Sequence, residues 1–310
     1  LKQCLDSLVN GLKYIVYVDS GSTDGSVVLA QSLGVIVVSL DMTQPFTAAR
    51  ARNTGLAALV ENYPSIDYVQ FVDGDCEVQS GWMIQAKDFL DTHPNFAAVC
   101  GRRRERYPDA SIYNKLCDIE WDTPIGETKA CGGDALFRLV ALRAVEGYRE
   151  NLIAGEEPEM CYRMRQRGWK IMRLDTEMTL HDAAMTRFGQ WWKRNQRAGH
   201  AYAESYALHG SDEEHFRKKE TRSIVIWAVL IPLIFMLLSV IEDDLAILWL
   251  LYPLQILRLV FQYQEKLGSF YLGSIYATSN VLGKWPQFMG VVAFLKNYAH
   301  GKQGGLIEYK

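Results

Sequence analysis

The chain has 310 residues, of which 49% are hydrophobic and 22% charged, and a formal net charge of −3. That length holds one substantial domain with an appendage, or two modest ones, and the near-neutral balance excludes the basic excess of a nucleic-acid binder. Six cysteines, Cys4, Cys76, Cys100, Cys117, Cys131 and Cys161, form no CxxC pair. This excludes a zinc ribbon or a disulfide framework and leaves reduced thiols in a cytosolic setting.

The first element is a helix: in "LKQCLDSLVNG" the residues Leu1, Leu5, Leu8 and Leu12 recur at helical spacing, with Gly11 as a stop signal. The sequence does not open on Met and reads as starting inside an element, so its natural N-terminus is expected to lie upstream. Strand-like apolar runs then alternate with helical stretches. The runs are "YIVYVD", "VIVVSL", "YVQFVD" and "FAAVCG"; the helices are "GSVVLAQSLG", "TAARARNTGLAALVENY" and "GWMIQAKDFLDTH". Continuous apolar runs alternating with helices predict a mostly parallel sheet covered on both faces. Ligands of such sheets bind beyond the carboxyl ends of the strands, and two of the runs end in aspartate, Asp19 and Asp73. In "IAGEEPEMCYRMRQRGWKI" Pro158 suits the first position of a helix stopped by Gly168, and a short strand-like segment follows, ending at His181.

After residue 221 the composition changes. Ile224–Ile241 contains no charge, and its roughly 18 residues span about 27 Å as a helix, close to a bilayer core. The acidic "EDD" turn follows, then the apolar stretch Leu245–Phe261, broken only by Arg258. Arg217, Lys218, Lys219 and Arg222 precede the first span, and Arg258 and Lys266 close the second; the positive-inside rule places both flanks in the cytoplasm. A buried hairpin in a soluble core is the competing reading. In the tail, Trp285, Phe288, Met289, Val292, Leu295 and Ala299 share one helical face, which suits a helix lying in the interface or packed on the soluble part.

Several residues carry chemistry. Asp73-Gly74-Asp75 closes an apolar strand, and residues two apart on a strand point the same way. A hard divalent cation, Mg²⁺ or Mn²⁺, shared with a substrate's phosphates resolves the repulsion of such a carboxylate pair, and Gly74 lets backbone approach closely; a tight Asp-Gly turn is the competing reading. "YVDSGSTDGS" runs from strand into a Gly/Ser loop but lacks the GxGxxG spacing of a dinucleotide site. Asp19 there suits a base N–H or ribose hydroxyls, and Asp24 suits helix capping. Arg52 and Asn53, with Arg50, offer phosphate recognition on a helix. Glu156, Glu157 and Glu159 crowd a helix start, by macrodipole compensation or as a source of a general base. His181 beside Asp182 is either structural or a ligand. "ACGGDALFR" holds Gly132, Gly133 and Asp134, a flexible backbone beside an acid. Arg102, Arg103, Arg104 and Arg106 form a basic cluster that reads as a solvated loop or as an attractor of anionic lipid.

Taken in order, "VDSGSTDGS", "ARN", "FVDGD", "GGDALFR" and "GEEPEMCYR" resemble the family 2 glycosyltransferases of the GT-A fold over roughly residues 1–205. The C-terminal part is similar to bacterial members that carry a membrane hairpin and build exopolysaccharide or lipid-linked glycans. The resemblance implies an α/β Rossmann-like sheet with helices on both faces. It also implies an inverting, metal-dependent transfer from a nucleotide-diphospho-sugar to a glycan or lipid-linked acceptor, at the cytoplasmic face of a bacterial inner membrane. Asp19 would contact the base, with Arg52 and Asn53 near the nucleotide. Asp73, Gly74 and Asp75 would hold the ribose and a divalent cation, with His181 as a further metal ligand. Glu157 would be the catalytic base, with Glu156 as the alternative, and Gly133 and Asp134 would lie near the acceptor. The expected organisation is a GT-A domain over 1–205 without its first strand, a basic linker over 206–222, a two-span hairpin over 223–262 and an amphipathic cytoplasmic tail over 263–310.

The sequence departs from the family at "WWKRNQRAGHAY", where processive synthases carry QxxRW, so single or distributive transfer is expected. Two other readings stay open. One makes polyprenyl phosphate itself the acceptor, held by the arginine cluster; the other is a membrane-anchored nucleotide-sugar binder without catalysis.

Overall fold

The computed structural model describes residues 1–9, 11–301 and 305. It divides into two compact units, one of residues 1–108 with 120–184 and one of residues 109–119 with 185–310.

The first unit opens with α1 (Lys2–Val9), which buries Cys4, Leu5 and Leu8. Then come β1 (Val16–Asp19), α2 (Ser26–Ser32), β2 (Ile36–Ser39), α3 (Ala48–Asn62), β3 (Tyr68–Phe71), β4 (Cys76–Val78), α4 (Trp82–Thr92) and β5 (Phe96–Glu105). After α5 (Ile112–Trp121), which crosses the unit boundary, follow β6 (Gly126–Glu127), β7 (Ala135–Arg138), α6 (Leu139–Ala144), α7 (Glu156–Gln166) and β8 (Lys170–His181). β1 and β2 pair in parallel, with Val16 opposite Ile36. The other strands form a mixed sheet in the order β3-β7-β5-β8-β4, with β6 on β8. β3 and β5 both run against β7, and β5 runs parallel to β8, so β3, β5 and β8 share one direction. The core lies between this sheet and its helices, around Trp82, Leu90, Phe137, Met160 and Ile171, all fully buried. Burying a side chain of that size contributes about 2 kcal/mol.

β1 and β3 do not pair with each other, and each has one edge without a ladder partner among the described residues. Between them lies a cleft of about 310 Å³, bordered by Val16–Val18, by Val69–Phe71 and by the apolar faces of α1 and α3.

Two local outcomes differ from the sequence reading. The helix with the three glutamates begins at Glu156, two residues before Pro158, because Gly155 takes a left-handed turn (φ 77°) ahead of it. Pro158 still sits in the first turn, where an N–H is not needed. The strand "FAAVCG" does not stop at Gly101. It continues through the arginines to Glu105, because β8 beside it is 12 residues long and carries the ladder to His181 opposite Glu105.

The second unit is helical. In α8 (Phe188–His209) and α13 (Lys284–Ala299) the backbones meet at glycine: a Cβ on Gly199 would come within 1.9 Å of the Gln287 carbonyl oxygen. α8 thus groups with the C-terminal helices, whereas the sequence reading ran the first domain to residue 205. α13 buries Gly290, Val291 and Phe294 and leaves Met289, Val292 and Leu295 exposed. Between them run α9 (Lys218–Val225), a π turn over Ile226–Leu230, α10 (Ile231–Ile241), a 3₁₀ segment over Asp243–Leu250, α11 (Leu251–Leu267) and α12 (Phe270–Leu282). Lys218–Ile241 and Asp243–Leu267 are each long and apolar enough to cross a membrane, with mean hydropathies of 3.0 and 1.6 and only 11% of each apolar window buried.

Candidate active site

β3 leaves its ladder at Phe71, and the chain turns through Asp73-Gly74-Asp75 into β4, with the Cys76 N–H donating to the Asp73 carbonyl at 2.9 Å. β4 pairs with the end of β8, so Cys76 stands opposite His181. This brings His181 Nε2 to 3.1 Å from Asp75 Oδ1. One donor atom from each of Asp73, Asp75, Cys76 and His181 lies within 4.8 Å of the others. Cys76 is fully buried, and its thiol donates to Asp134 Oδ2 at 3.3 Å. The accessible donors are therefore two carboxylates and an imidazole, a set that suits Mg²⁺ or Mn²⁺ better than a thiolate-bound ion.

Two arginines brace this turn. α3 starts where the Thr47 hydroxyl accepts from the Arg50 N–H at 3.1 Å, and one turn on it presents Arg52. Arg52 Nη2 lies 2.7 Å from Asp73 Oδ1, and its Nη1 lies 2.5 Å from Glu156 Oε1. Burial works against the Arg52 charge, but Asp73 and Glu156 outweigh it and hold the guanidinium well above its usual value. Arg103, on β5, sets Nη2 2.7 Å from Asp134 Oδ2 and 3.8 Å from Asp73 Oδ2. Burial pushes the Asp73 carboxyl up, yet Arg52 and Arg103 together hold it below the usual aspartate value.

Asp134 is fully buried beneath the turn. It accepts from the Asp73 N–H at 3.2 Å and the Thr179 hydroxyl at 2.9 Å, as well as from Arg103 and Cys76. Gly133, with φ 114°, closes over the cluster: a Cβ there would meet Arg103 at 3.1 Å, Arg52 at 3.6 Å and Asp73 at 3.7 Å. Both residues of the predicted acceptor pair are buried: Gly133 packs against the arginines and Asp134 lies beneath the turn.

The three acids of α7 divide. Glu156 faces Arg52. Glu157 is 2% exposed and accepts from the Cys131 and Gly132 N–H groups at 2.8 and 2.9 Å. The Cys161 thiol also donates to Glu157 at 2.8 Å; burial pushes that thiol up to about 12, so it stays a donor. Glu159, fully buried, pairs with Arg163 at 2.9 Å and Arg149 at 3.2 Å.

Two predicted nucleotide residues make internal hydrogen bonds. Asn53 donates to the Tyr148 carbonyl at 2.8 Å and accepts from the Tyr148 N–H at 2.9 Å, pinning the loop after α6. Asp19 is buried and accepts from the Gly21 and Ser22 N–H groups at 3.0 and 3.2 Å and from the Tyr17 hydroxyl at 3.0 Å. The bonds from Ser22, with those from Gly21 and Tyr17, outweigh burial and hold its carboxyl below the usual value. Asp24 is not the helix cap: Gly25 holds that position, and Asp24, one residue ahead of it, accepts from the Ser26 N–H at 3.1 Å.

The residue the sequence reading missed is Arg103. Its cluster is neither a solvated loop nor free for lipid. Arg102 lies 3.3 Å from Asp122, Arg103 is held by Asp134, and Arg106 lies 3.3 Å from Glu77. The available signal was the apolar run leading straight into the arginines, which makes them the continuation of a strand.

A mixed α/β sheet with a carboxylate turn at a strand's end, closed over by a glycine loop and a glutamate-led helix, has the architecture of the GT-A fold. The family described as Glycosyl transferase family 2 matches residues 1–132. Among curated proteins, O-antigen chain rhamnosyltransferase RfbN of Salmonella typhimurium is 26% identical over 171 residues, 51% of this chain and 53% of that protein. The chain thus spans about half the length of the curated relative it matches. Two solved structures share the fold. The mannosyltransferase PcManGT from Pyrobaculum calidifontis, in complex with GDP-Man and Mn²⁺, has a TM-score of 0.53 at 16% identity, over 91% of this chain and 77% of that one. S. aureus TarS 1–349 has a TM-score of 0.50 at 14% identity, over 97% and 87%.

Proposed function

We propose that the chain is an inverting, metal-dependent glycosyltransferase moving a sugar from a nucleotide-diphospho-sugar to a lipid-linked or exopolysaccharide glycan. The observation that carries this reading is the convergence of Asp73, Asp75 and His181, with donor atoms within 4.8 Å, beside Arg52 and Glu156. The fit of that donor set to a hard cation supports Asp73, Asp75 and His181 as its holders. A bound Mg²⁺ or Mn²⁺ would neutralise charge gathering on the departing diphosphate. Arg52 adds a fixed guanidinium at the same place, costing no reorganisation during transfer. The mannosyltransferase neighbour, with its GDP-Man and Mn²⁺, and the O-antigen relative are consistent with donor, ion and acceptor class.

The base comes from the pair opening α7. Glu156 offers Oε1 to Arg52 and faces the carboxylate turn without any rearrangement. Glu157, which the resemblance favours, takes an acceptor's proton only once the glycine loop releases its oxygens. Gly133 and Asp134 belong to the loop expected near the acceptor, while Asp19, Arg52 and Asn53 lie on the elements expected to flank the nucleotide. The two apolar helices with cations at their outer ends support anchoring at the inner face of a bacterial membrane.

The test uses the detergent-solubilised chain, a panel of nucleotide-sugars and Mn²⁺. Asp75→Asn should cut turnover at least ~100-fold, and unchanged turnover would refute the metal assignment. Glu156→Gln and Glu157→Gln, assayed side by side, name the base as the one that loses turnover while keeping donor binding. If both keep turnover, the base lies elsewhere; if no donor is turned over, the non-catalytic binder is the better reading. Transfer to polyprenyl phosphate is the weaker reading, since Arg102, Arg103 and Arg106 of the cluster expected to hold the phosphate are paired with internal carboxylates.

A further inference from the structure

The second unit carries a feature that the transfer reaction does not use. α9 opens with Lys218 and Lys219, and Arg222 lies one turn on. None of the three has an ion-pair partner among the described residues, whereas Arg217 just before them is paired with Glu220 at 2.9 Å. These residues border a cleft of about 540 Å³, whose wall continues into Ser223, Ile226 and Trp227. At 3.6 residues per turn, positions 218, 219, 222, 223 and 226 fall on one side of the helix. The lower part of that side is cationic. The upper part is apolar, ends in an indole and leads into the 24-residue apolar helix.

Helix stability does not explain this charge. Cations in a first turn oppose the macrodipole, which favours acids there, and α9 has only Glu220 in that turn. The acid and the imidazole at the rim are engaged elsewhere: His215 Nδ1 is 3.2 Å from the Gly210 carbonyl, and Glu214 has other partners. Three uncompensated cations below an apolar wall match one ligand chemistry, a phosphate head joined to an acyl chain.

We propose that this cleft is a lipid-phosphate site, occupied by the headgroup of an anionic membrane phospholipid. Lys218, Lys219 and Arg222 bind the phosphate, Ser223 offers a hydroxyl, and Ile226 and Trp227 take the start of the acyl chain. Lysine and arginine at such a surface bind anionic headgroups additively, and an indole belongs at the headgroup level. The inference rests on the membrane-anchored reading of the hairpin. It moves the lipid-phosphate contact from the β5 arginines to the foot of the first span.

The test uses the full chain in detergent with defined lipids, read by native mass spectrometry, and its reconstitution into zwitterionic phosphatidylcholine vesicles. The expected result is retention of phosphatidylglycerol over phosphatidylcholine, lost about 100-fold in K218Q/K219Q/R222Q. The melting temperature of that variant should be unchanged or higher, because the helix dipole is relieved. K266Q/K296Q, removing charge elsewhere in the unit, should keep the preference. Insertion into phosphatidylcholine vesicles with no preference for phosphatidylglycerol overturns the site and leaves the anchor standing. Failure to insert overturns both. Displacement of phosphatidylglycerol by millimolar inorganic phosphate would make this a free-phosphate site, and tighter retention of a polyprenyl diphosphate would make it an acceptor site; either result overturns the phospholipid assignment.

Discussion

Tyr252→Phe gives a sharp test of how the first apolar helix tolerates its proline. Pro232 has no N–H to give and cannot continue the ladder. The chain answers with a π turn over Ile226–Leu230, in which the Ile231 N–H reaches back to the Ile226 carbonyl. The Trp227 carbonyl is then passed over, since its next candidate donor would be residue 232. The Tyr252 hydroxyl fills that gap, donating to the Trp227 oxygen at 2.6 Å from a residue that is 9% exposed. Phenylalanine keeps the ring against Trp227, at a 5.8 Å centroid separation, and removes only the donor. A buried carbonyl left without a partner costs about 1–3 kcal/mol in proteins, and measured interhelical bonds in membranes average nearer ~0.6 kcal/mol. The expected loss is therefore about 1 kcal/mol. Pro232→Ala restores a backbone N–H able to reach the same carbonyl, so Tyr252→Phe on that background should cost almost nothing. Equilibrium unfolding of the four proteins in mixed micelles measures the coupling directly. An equal cost for Tyr252→Phe in both backgrounds would refute the account.

Three further outcomes follow from the first unit. Asp134→Ala removes the partner of a buried arginine together with the acceptor for the Asp73 N–H, and should lower stability by roughly 3–5 kcal/mol in urea unfolding; Asp134→Asn, which keeps an acceptor oxygen, should cost less. The Asp19 carboxyl has a folded value below its ordinary 3.8, so its contribution is present above that pH and is lost as pH falls through the lowered value; Asp19→Asn should weaken the protein at pH 7 and converge with the parent in acid melts once pH is below the lowered value, and a constant gap would contradict this. An extended segment of alternating valine and threonine, fused ahead of Leu1 through a flexible linker, should enter the cleft between β1 and β3, raise the melting temperature and abolish binding of a hydrophobic dye, whereas a proline-substituted segment should do neither.

How far the sequence revealed this arrangement depends on the range of the interaction. The helix over 48–62 and the strand before Asp73 were readable because local periodicity and one capping hydroxyl define them. His181 was placed at a strand's end by a short apolar run, but its pairing opposite Cys76 comes from a ladder linking residues about a hundred positions apart. No local pattern encodes such a register. Arg103 was missed for a related reason. Three consecutive arginines look like surface, and only the buried acid below them, Asp134, makes one an internal ion pair. Glu156 and Glu157 were visible as a pair. Their separate orientations follow from Gly155 starting the helix early, and the following proline argued for a later start.

The charge of the cluster bears on the metal reading. Four carboxylates, Asp73, Asp75, Asp134 and Glu156, surround two guanidiniums, Arg52 and Arg103, with His181 at the rim. Three of those carboxylates are already in ion pairs with arginine, and crowding them costs little because each guanidinium is shared between two acids. Asp75 has 41% of its side chain exposed, with the His181 imidazole 3.1 Å away. These four carboxylates exceed the two guanidiniums by two charges, which a divalent cation bound at the turn would balance. On the proposed reading, a nucleotide-sugar arriving with that cation would meet Arg52 already fixed by Asp73 and Glu156. On that reading the buried ion pairs set the geometry, and the exposed aspartate is the carboxylate that would take the ion. Exchanging their chemistry should therefore separate the effects: Asp134→Asn weakens the scaffold at every metal concentration, while Asp75→Asn leaves the melting temperature of the metal-free chain nearly unchanged and removes its rise on adding Mn²⁺. A rise that survives in Asp75→Asn would locate the ion elsewhere.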